Sequence, residues 1–153
     1  MNSPRFRHLD DEKWQEVRRM KQGDRDMFVR EKWLDFSPRF LSLYAKWDPG
    51  MIVQPHGHNS DHVVFVLEGE MTCGDVVCRK GMHIALDQGD VFGPFVAGPN
   101  GVTLFEVMMG DPRSFPAPRE IYEKYEAMLG EMGVSKGENP SIDMPDWIQD
   151  TRN

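Results

Sequence analysis

Three histidines offer the most direct chemistry in this sequence. They lie in the run Gln54-Pro-His56-Gly-His58-Asn-Ser-Asp-His62-Val-Val-Phe-Val-Leu-Glu68-Gly69. Residues two apart on a strand point to the same face, so His56 and His58 project together. The polar stretch Asn59-Ser60-Asp61 predicts a turn that reverses the chain, with His62 opening the next strand. Such a fold-back brings three imidazoles around one point, and imidazole suits zinc, iron, nickel and copper. The competing reading is a polar turn whose histidines are merely solvated. Two further residues are candidates for proton transfer. On an alternating strand His83 shares a face with Ala85, opposite Met82, Ile84 and Leu86. If the His83 face lines a cavity, His83 is a further ligand or a proton carrier; otherwise it is an ordinary half-buried strand histidine. Glu106 interrupts the apolar strand 102–109. A carboxylate there must be paired, protonated or close to a metal, and an arginine at the rim of the fold would also satisfy it.

The spacing resembles the cupin superfamily. Its first motif is Gly, five residues, His-x-His, three residues, Glu, six residues, Gly. Gly50, His56, His58 and Gly69 fit it in register, and His62 stands at the Glu position. The second cupin motif is Gly, five residues, Pro-x-Gly, two residues, His, three residues, Asn. Gly81 and Gly89 fit it, with Asp87, Phe92 and Val96 at the Pro, His and Asn positions. The resemblance implies an all-β double-stranded β-helix, a jelly-roll barrel, with N- and C-terminal helices flanking it. It also implies one divalent metal ion on His56, His58 and His62, with iron(II) favoured and zinc, manganese or nickel as alternatives. Neutral imidazole in place of a carboxylate leaves the ion its full charge and makes it a stronger attractor for anions. Loss of the usual fourth ligand to Phe92 leaves positions open, the catalytic rather than the structural pattern. Three-histidine cupin dioxygenases are the implied class: a small anionic or enolisable substrate chelates iron(II), O₂ is activated, and His83 or Glu106 moves a proton. Phe92 and Val64 are the expected pocket wall. A redox-free, zinc-type lyase, isomerase or cyclase is the second reading. A non-catalytic small-molecule-binding cupin is the third.

The elements that must position these residues read as follows. Acidic residues, Trp14 and Val17 three apart, and Gly23 predict a helix over 11–21. The segment 26–47 is mixed and ends in an aromatic-rich strand, 40–47. Asp48-Pro49-Gly50 is a turn. From 51 to 109 short apolar runs alternate with turn residues, the pattern of a β-sandwich or barrel, and Asn100-Gly101 signals a hairpin. Residues 114–118 form a linker and 119–129 a helix with an Ile121, Tyr125, Met128 stripe. The tail from 134 is either packed across the barrel or partly disordered. The expected organisation is one domain: a lead-in over 1–39, a barrel core over 40–110, and linker, helix and tail over 111–153.

Composition narrows the function. A formal charge of −7 advertises no basic face for nucleic acid or anionic lipid. The longest apolar run, Val63 to Leu67, is far too short to span a bilayer, and the N-terminus does not read as a secretory signal. With only two cysteines, Cys73 and Cys78, a reducing cytoplasm is the expected compartment and both thiols read as small buried hydrophobes. The expected partners are a small-molecule substrate and a second copy of the chain. Exposed sheet edges need covering, and cupins commonly cover them by pairing as homodimers.

Overall fold

The computed structural model describes residues 3–152. Among the described residues nine strands form one antiparallel sheet, and a single α-helix lies between the eighth strand and the ninth. The strands are β1 (Gln15–Gln22), β2 (Arg25–Phe36), β3 (Leu41–Trp47), β4 (Ile52–Val53), β5 (His56–Cys73), β6 (Val76–Arg79), β7 (His83–Leu86), β8 (Phe95–Pro116) and β9 (Val134–Lys136). They run in the order β6-β5-β8-β3-β2-β1-β9, with β4 on β8 and β7 on β5. A single core takes buried side chains from nearly every strand, among them Met27, Leu43, Val66 and Leu104. Burying each such side chain contributes about 1.5–3 kcal/mol. The 14-residue helix α1 (Arg119–Met132) lays Tyr125 and Leu129 on this core and leaves Ile121 exposed. Among the described residues no helix is long and apolar enough to cross a membrane.

The sequence-based expectation fails in four places, one being the linker expected over 114–118, where Ser114, Phe115 and Pro116 instead end β8 and pair with His58, Gly57 and His56. Residues 11–21 are not a helix: a short 3₁₀ turn, Leu9–Asp11, leads into strand β1. That expectation took Trp14 and Val17, three apart, as one helical face; Val17 is buried within β1, whereas Trp14 is exposed and precedes the strand. A β-bulge also interrupts the alternation of β1. Glu16 pairs with Arg30 and Arg18 pairs with Val29, so Val17 is an extra residue that shifts the alternation by one. The chain also does not reverse at 59–61. Strand β5 continues unbroken through His62 to Cys73. Finally, Asn100-Gly101 is no hairpin turn but part of β8, where residues 98–101 bulge out between the pairs Met71↔Ala97 and Gly69↔Val102. Gly101 has φ +76 there, and a Cβ would lie 2.5 Å from the Trp47 carbonyl oxygen, so only glycine fits.

The tail packs across the barrel. β9 pairs with β1, Ile142 rests against the core, and the Trp147 ring meets Phe36 edge-on at 5.2 Å. Cys73 and Cys78 are free thiols, the first half-buried and the second buried. They are not cross-strand partners: Cys73 faces Val76 and Cys78 faces Met71. On the outer face, Phe65 pairs with Phe105, and both are exposed, as is Met109.

Candidate metal centre

On β5 every second residue from His56 to Val66 turns inward and is buried: His56, His58, Ser60, His62, Val64 and Val66. Strict alternation therefore puts all three histidines on one face without a turn. On a straight strand, residues four apart would stand about 13 Å apart. Here the His58 and His62 ring centroids are 5.0 Å apart. The ladder to β8 slips between His58 and Ser60, where β8 makes an excursion through Pro112. The same excursion supplies the carbonyl that holds His58. Gly57, between the first two histidines, has no room for a side chain: a Cβ would sit 2.4 Å from the Phe115 ring and 2.6 Å from the Asp90 carbonyl oxygen.

Backbone acceptors fix the tautomers of two imidazoles. His56 Nδ1–H donates to the Gln54 carbonyl at 2.6 Å, and His58 Nδ1–H donates to the Pro112 carbonyl at 2.7 Å. Burial drives His56 well below its ordinary pKa and takes His58 to about 4, with the charges of Arg18 and neighbouring imidazoles adding to both shifts. Both rings are therefore neutral at physiological pH, and both Nε2 atoms carry bare lone pairs. Those atoms face each other at 3.1 Å. Two acceptors so placed repel unless a cation lies between them. Ligand nitrogens about 2.1 Å from one ion, at close to a right angle, stand about 3 Å apart. Orientation of metal-binding imidazoles by a carbonyl on the far nitrogen is the usual outer-shell arrangement. His62 Nε2–H donates to Glu106 Oε1 at 2.9 Å, which leaves its Nδ1 buried with no partner. The donor set fits a divalent ion. The third imidazole is held aside by Glu106, and among the described residues no three such donors already stand in coordinating positions about one point.

The remaining candidates divide. Glu106 is buried in the chamber, on β8 opposite Val64, which lines it too. Phe92 bridges to His56 through two backbone hydrogen bonds, and its ring lies 5.1 Å from His56, 6.1 Å from His58 and 6.3 Å from His62 by centroid. His83 is elsewhere: it is exposed, and it pairs with Phe65 on the outer face while Ile84 and Leu86 turn inward. The strand alternation was read correctly, but it is the other face that meets the interior. His83 therefore has no access to the chamber.

Sequence reasoning missed two charged residues of the interior. Glu31 continues the inward alternation of Met27 and Val29 on β2 and accepts a hydrogen bond from Trp33 Nε1 at 3.0 Å. Burial, with the Glu106 charge adding to it, raises its pKa to about 7. A carboxylate in phase with two apolar core residues was the available signal. Arg18 points inward beside Val29 because of the bulge at Val17, a register change that the sequence does not announce. The inner chamber, about 80 Å³, is lined by the three histidines, Arg18, Glu31, Glu106 and apolar side chains. An outer one of about 120 Å³ shares Arg18, Glu31, His58 and Met108 with it and is bordered by tail residues including Met144 and Arg152.

No protein-family model matches the chain, and no curated protein matches it. Solved structures do. A "putative acetylacetone dioxygenase" from Methylibium petroleiphilum superposes with a TM-score of 0.63 at 11% identity, covering 79% of this chain and 85% of that one. The polyketide cyclase RemF from Streptomyces resistomycificus gives 0.61 at 22% identity, over 86% and 99%. An RmlC-like cupin from Shewanella frigidimarina gives 0.56 at 20% identity, over 77% and 96%. The chain has the cupin fold. Its similar structures include proteins named as enzymes of different reaction classes, so the reaction has to be argued from the chamber itself.

Proposed function

We propose that this protein is a metal-dependent cupin enzyme that holds one divalent ion on His56, His58 and His62 and acts on a small anionic or enolisable substrate. The observation that carries this reading is the 3.1 Å approach of the two bare Nε2 atoms, each oriented by a backbone carbonyl. Neutral imidazoles leave the ion's charge uncompensated, which favours an anionic oxygen donor from the substrate. When bound, iron(II) supplies the electrons that O₂ chemistry needs, whereas zinc supplies charge alone. We favour iron(II) and a dioxygenase.

The chain's own residues have separable tasks. Phe92, Val64 and Met108 exclude water and shape the chamber. Glu106 is the proton acceptor: Oε1 is engaged by the His62 N–H, and Oε2 is free to take a proton from the carbon next to a substrate carbonyl. That pair also supports the second reading, a redox-free lyase, isomerase or cyclase, because proton transfer beside a Lewis acid requires no oxidant. The small-molecule substrate has a route in through the outer chamber. A homodimer through the exposed Phe65, Phe105 and Met109 face belongs to the same proposal.

The test is an O₂-uptake screen of anaerobically iron-loaded protein with small β-dicarbonyl compounds, phenols and thiols, repeated with zinc-loaded protein. Iron-dependent uptake with at least one compound is expected. Turnover with zinc and no uptake would transfer the assignment to the redox-free class. Binding without turnover under either metal would contradict an enzyme.

A further inference from the structure

Arg18 is the cation of the interior for which the mechanism above has no use. Its direction is built in. The bulge at Val17 makes Arg18 the cross-strand partner of the buried Val29, so its side chain enters the barrel instead of leaving it. It lines the inner and the outer chamber together. Its guanidinium makes no hydrogen bond and no ion pair with any described residue, although Glu31 and Glu106 attract it from across the chamber. The other charged groups of that space are engaged. Glu106 accepts from His62 and Glu31 accepts from Trp33. Of the other two cations at the outer chamber, Arg152 donates to the Val17 and Pro140 carbonyls and to Asp150, and Arg113 donates to Asp111. A guanidinium has five N–H donors in a planar fork and accepts nothing, and those of Arg18 open on the chambers instead of meeting a protein acceptor. A carboxylate matches that fork with two parallel hydrogen bonds. The indole N–H of Trp47, which also lines the inner chamber, is buried with no acceptor.

We propose that Arg18 anchors the carboxylate of a small oxo-acid, holding it at the junction of the two chambers with its carbonyl end toward the histidines. This rests on the reading of the chamber as a substrate site and names the substrate class. Glu31 and Glu106 face the same space, and their proximity limits the ligand to one carboxylate. A molecule with two such groups would meet repulsion at its far end.

The probes are acetoacetate and its neutral, near-isosteric amide, acetoacetamide. Binding of each is measured calorimetrically to wild type, Arg18→Gln and Arg18→Lys, both metal-free and zinc-loaded, with circular dichroism confirming the fold. Wild type should bind acetoacetate more tightly than the amide by between about tenfold and about a hundredfold, the range of a charge-assisted contact. Arg18→Gln should erase that preference while amide binding stays the same, and Arg18→Lys, which keeps the charge but not the fork, should retain part of it. If Arg18→Gln does not fold, the lysine variant decides: an undiminished preference there overturns the bidentate anchor. A preference that survives in Arg18→Gln, or wild type that does not distinguish the two probes or binds neither, overturns the proposal. Zinc content of the same samples reports separately on the histidines. A chain that takes no zinc contradicts the metal centre, while a carboxylate preference in metal-free protein stands on Arg18 alone.

Discussion

His62 and Glu106, 44 residues apart in the chain, share a hydrogen bond of 2.9 Å in the interior of the barrel. Each faces inward on its own strand, β5 or β8, and the two strands are paired along most of their length. The contact keeps His62 turned toward the carboxylate and fixes which carboxylate oxygen remains free. Replacing Glu106 by Gln retains an acceptor for His62 but removes the base. Once a substrate is in hand, Glu106→Gln should lower kcat by about a hundredfold or more with metal content close to wild type, measured by steady-state kinetics and elemental analysis on one preparation. Wild-type turnover in that variant would remove Glu106 from the proton-transfer role.

Phe92 stands beside all three histidines, and on the proposed reading an imidazole in its place adds a fourth donor. Its ring centroid is 5.1 Å from that of His56. Phe92→His should bind zinc or iron more tightly, by about tenfold or more, and should turn over more slowly because an open position is filled. Competition against a chelating indicator reads the affinity. An unchanged affinity would mean that the side chain at 92 does not reach the ion.

Glu31 gives a pH dependence whose sign is fixed. Its pKa in the folded chain, about 7, lies above the ordinary 4.5. Between those values the folded protein keeps a proton that the unfolded chain has lost. The stabilisation from this group is therefore complete below the lower value and is lost as pH rises through the upper one. Glu31→Gln should match wild type in stability near the lower value and exceed it by up to about 3 kcal/mol in mildly alkaline solution. Chemical denaturation of both proteins across this range checks it, and comparing the two cancels the opposite contribution of the depressed His56 and His58. A constant difference at all pH values would contradict the shift.

Gly57, between the first two histidines, lies against the Phe115 ring and the Asp90 carbonyl with no room for a side chain. Gly57→Ala should cost about 2–4 kcal/mol, seen as a lowered melting temperature, and should reduce metal retention with it. Phe115→Leu in the same chain should recover only part of the loss, because the Asp90 carbonyl oxygen, 2.6 Å from the added carbon, belongs to the backbone. Full recovery would place the whole conflict in the Phe115 ring.

Much of this arrangement could be read from the sequence because β-structure writes its facing in alternation. His56, His58, His62 and Val64 are all even-numbered residues of one strand, and period-two reasoning puts them together even though the expected turn at 59–61 does not exist. The same reasoning split His83 from Ile84 correctly and could not say which side was interior, since a short strand with one histidine and one alanine on a face carries no strong burial signal. Bulges defeated it. At Val17 one extra residue broke the alternation that marks β1 as a strand and concealed Arg18. At 98–101 an extra stretch with a glycine at positive φ imitated a hairpin. Glu31 was passed over because 26–47 was read as mixed, although Met27 and Val29 establish its phase.

The most direct test of the metal centre is the metal content of the purified chain after anaerobic reconstitution and desalting, in wild type and in His58→Ala, with circular dichroism on both. Wild type should retain close to one divalent ion per chain. His58→Ala should retain almost none while keeping the β-sheet spectrum, because the core that holds the barrel lies outside the three imidazoles. Wild type that keeps no metal, or a variant that keeps as much as wild type, would contradict a centre built on these histidines.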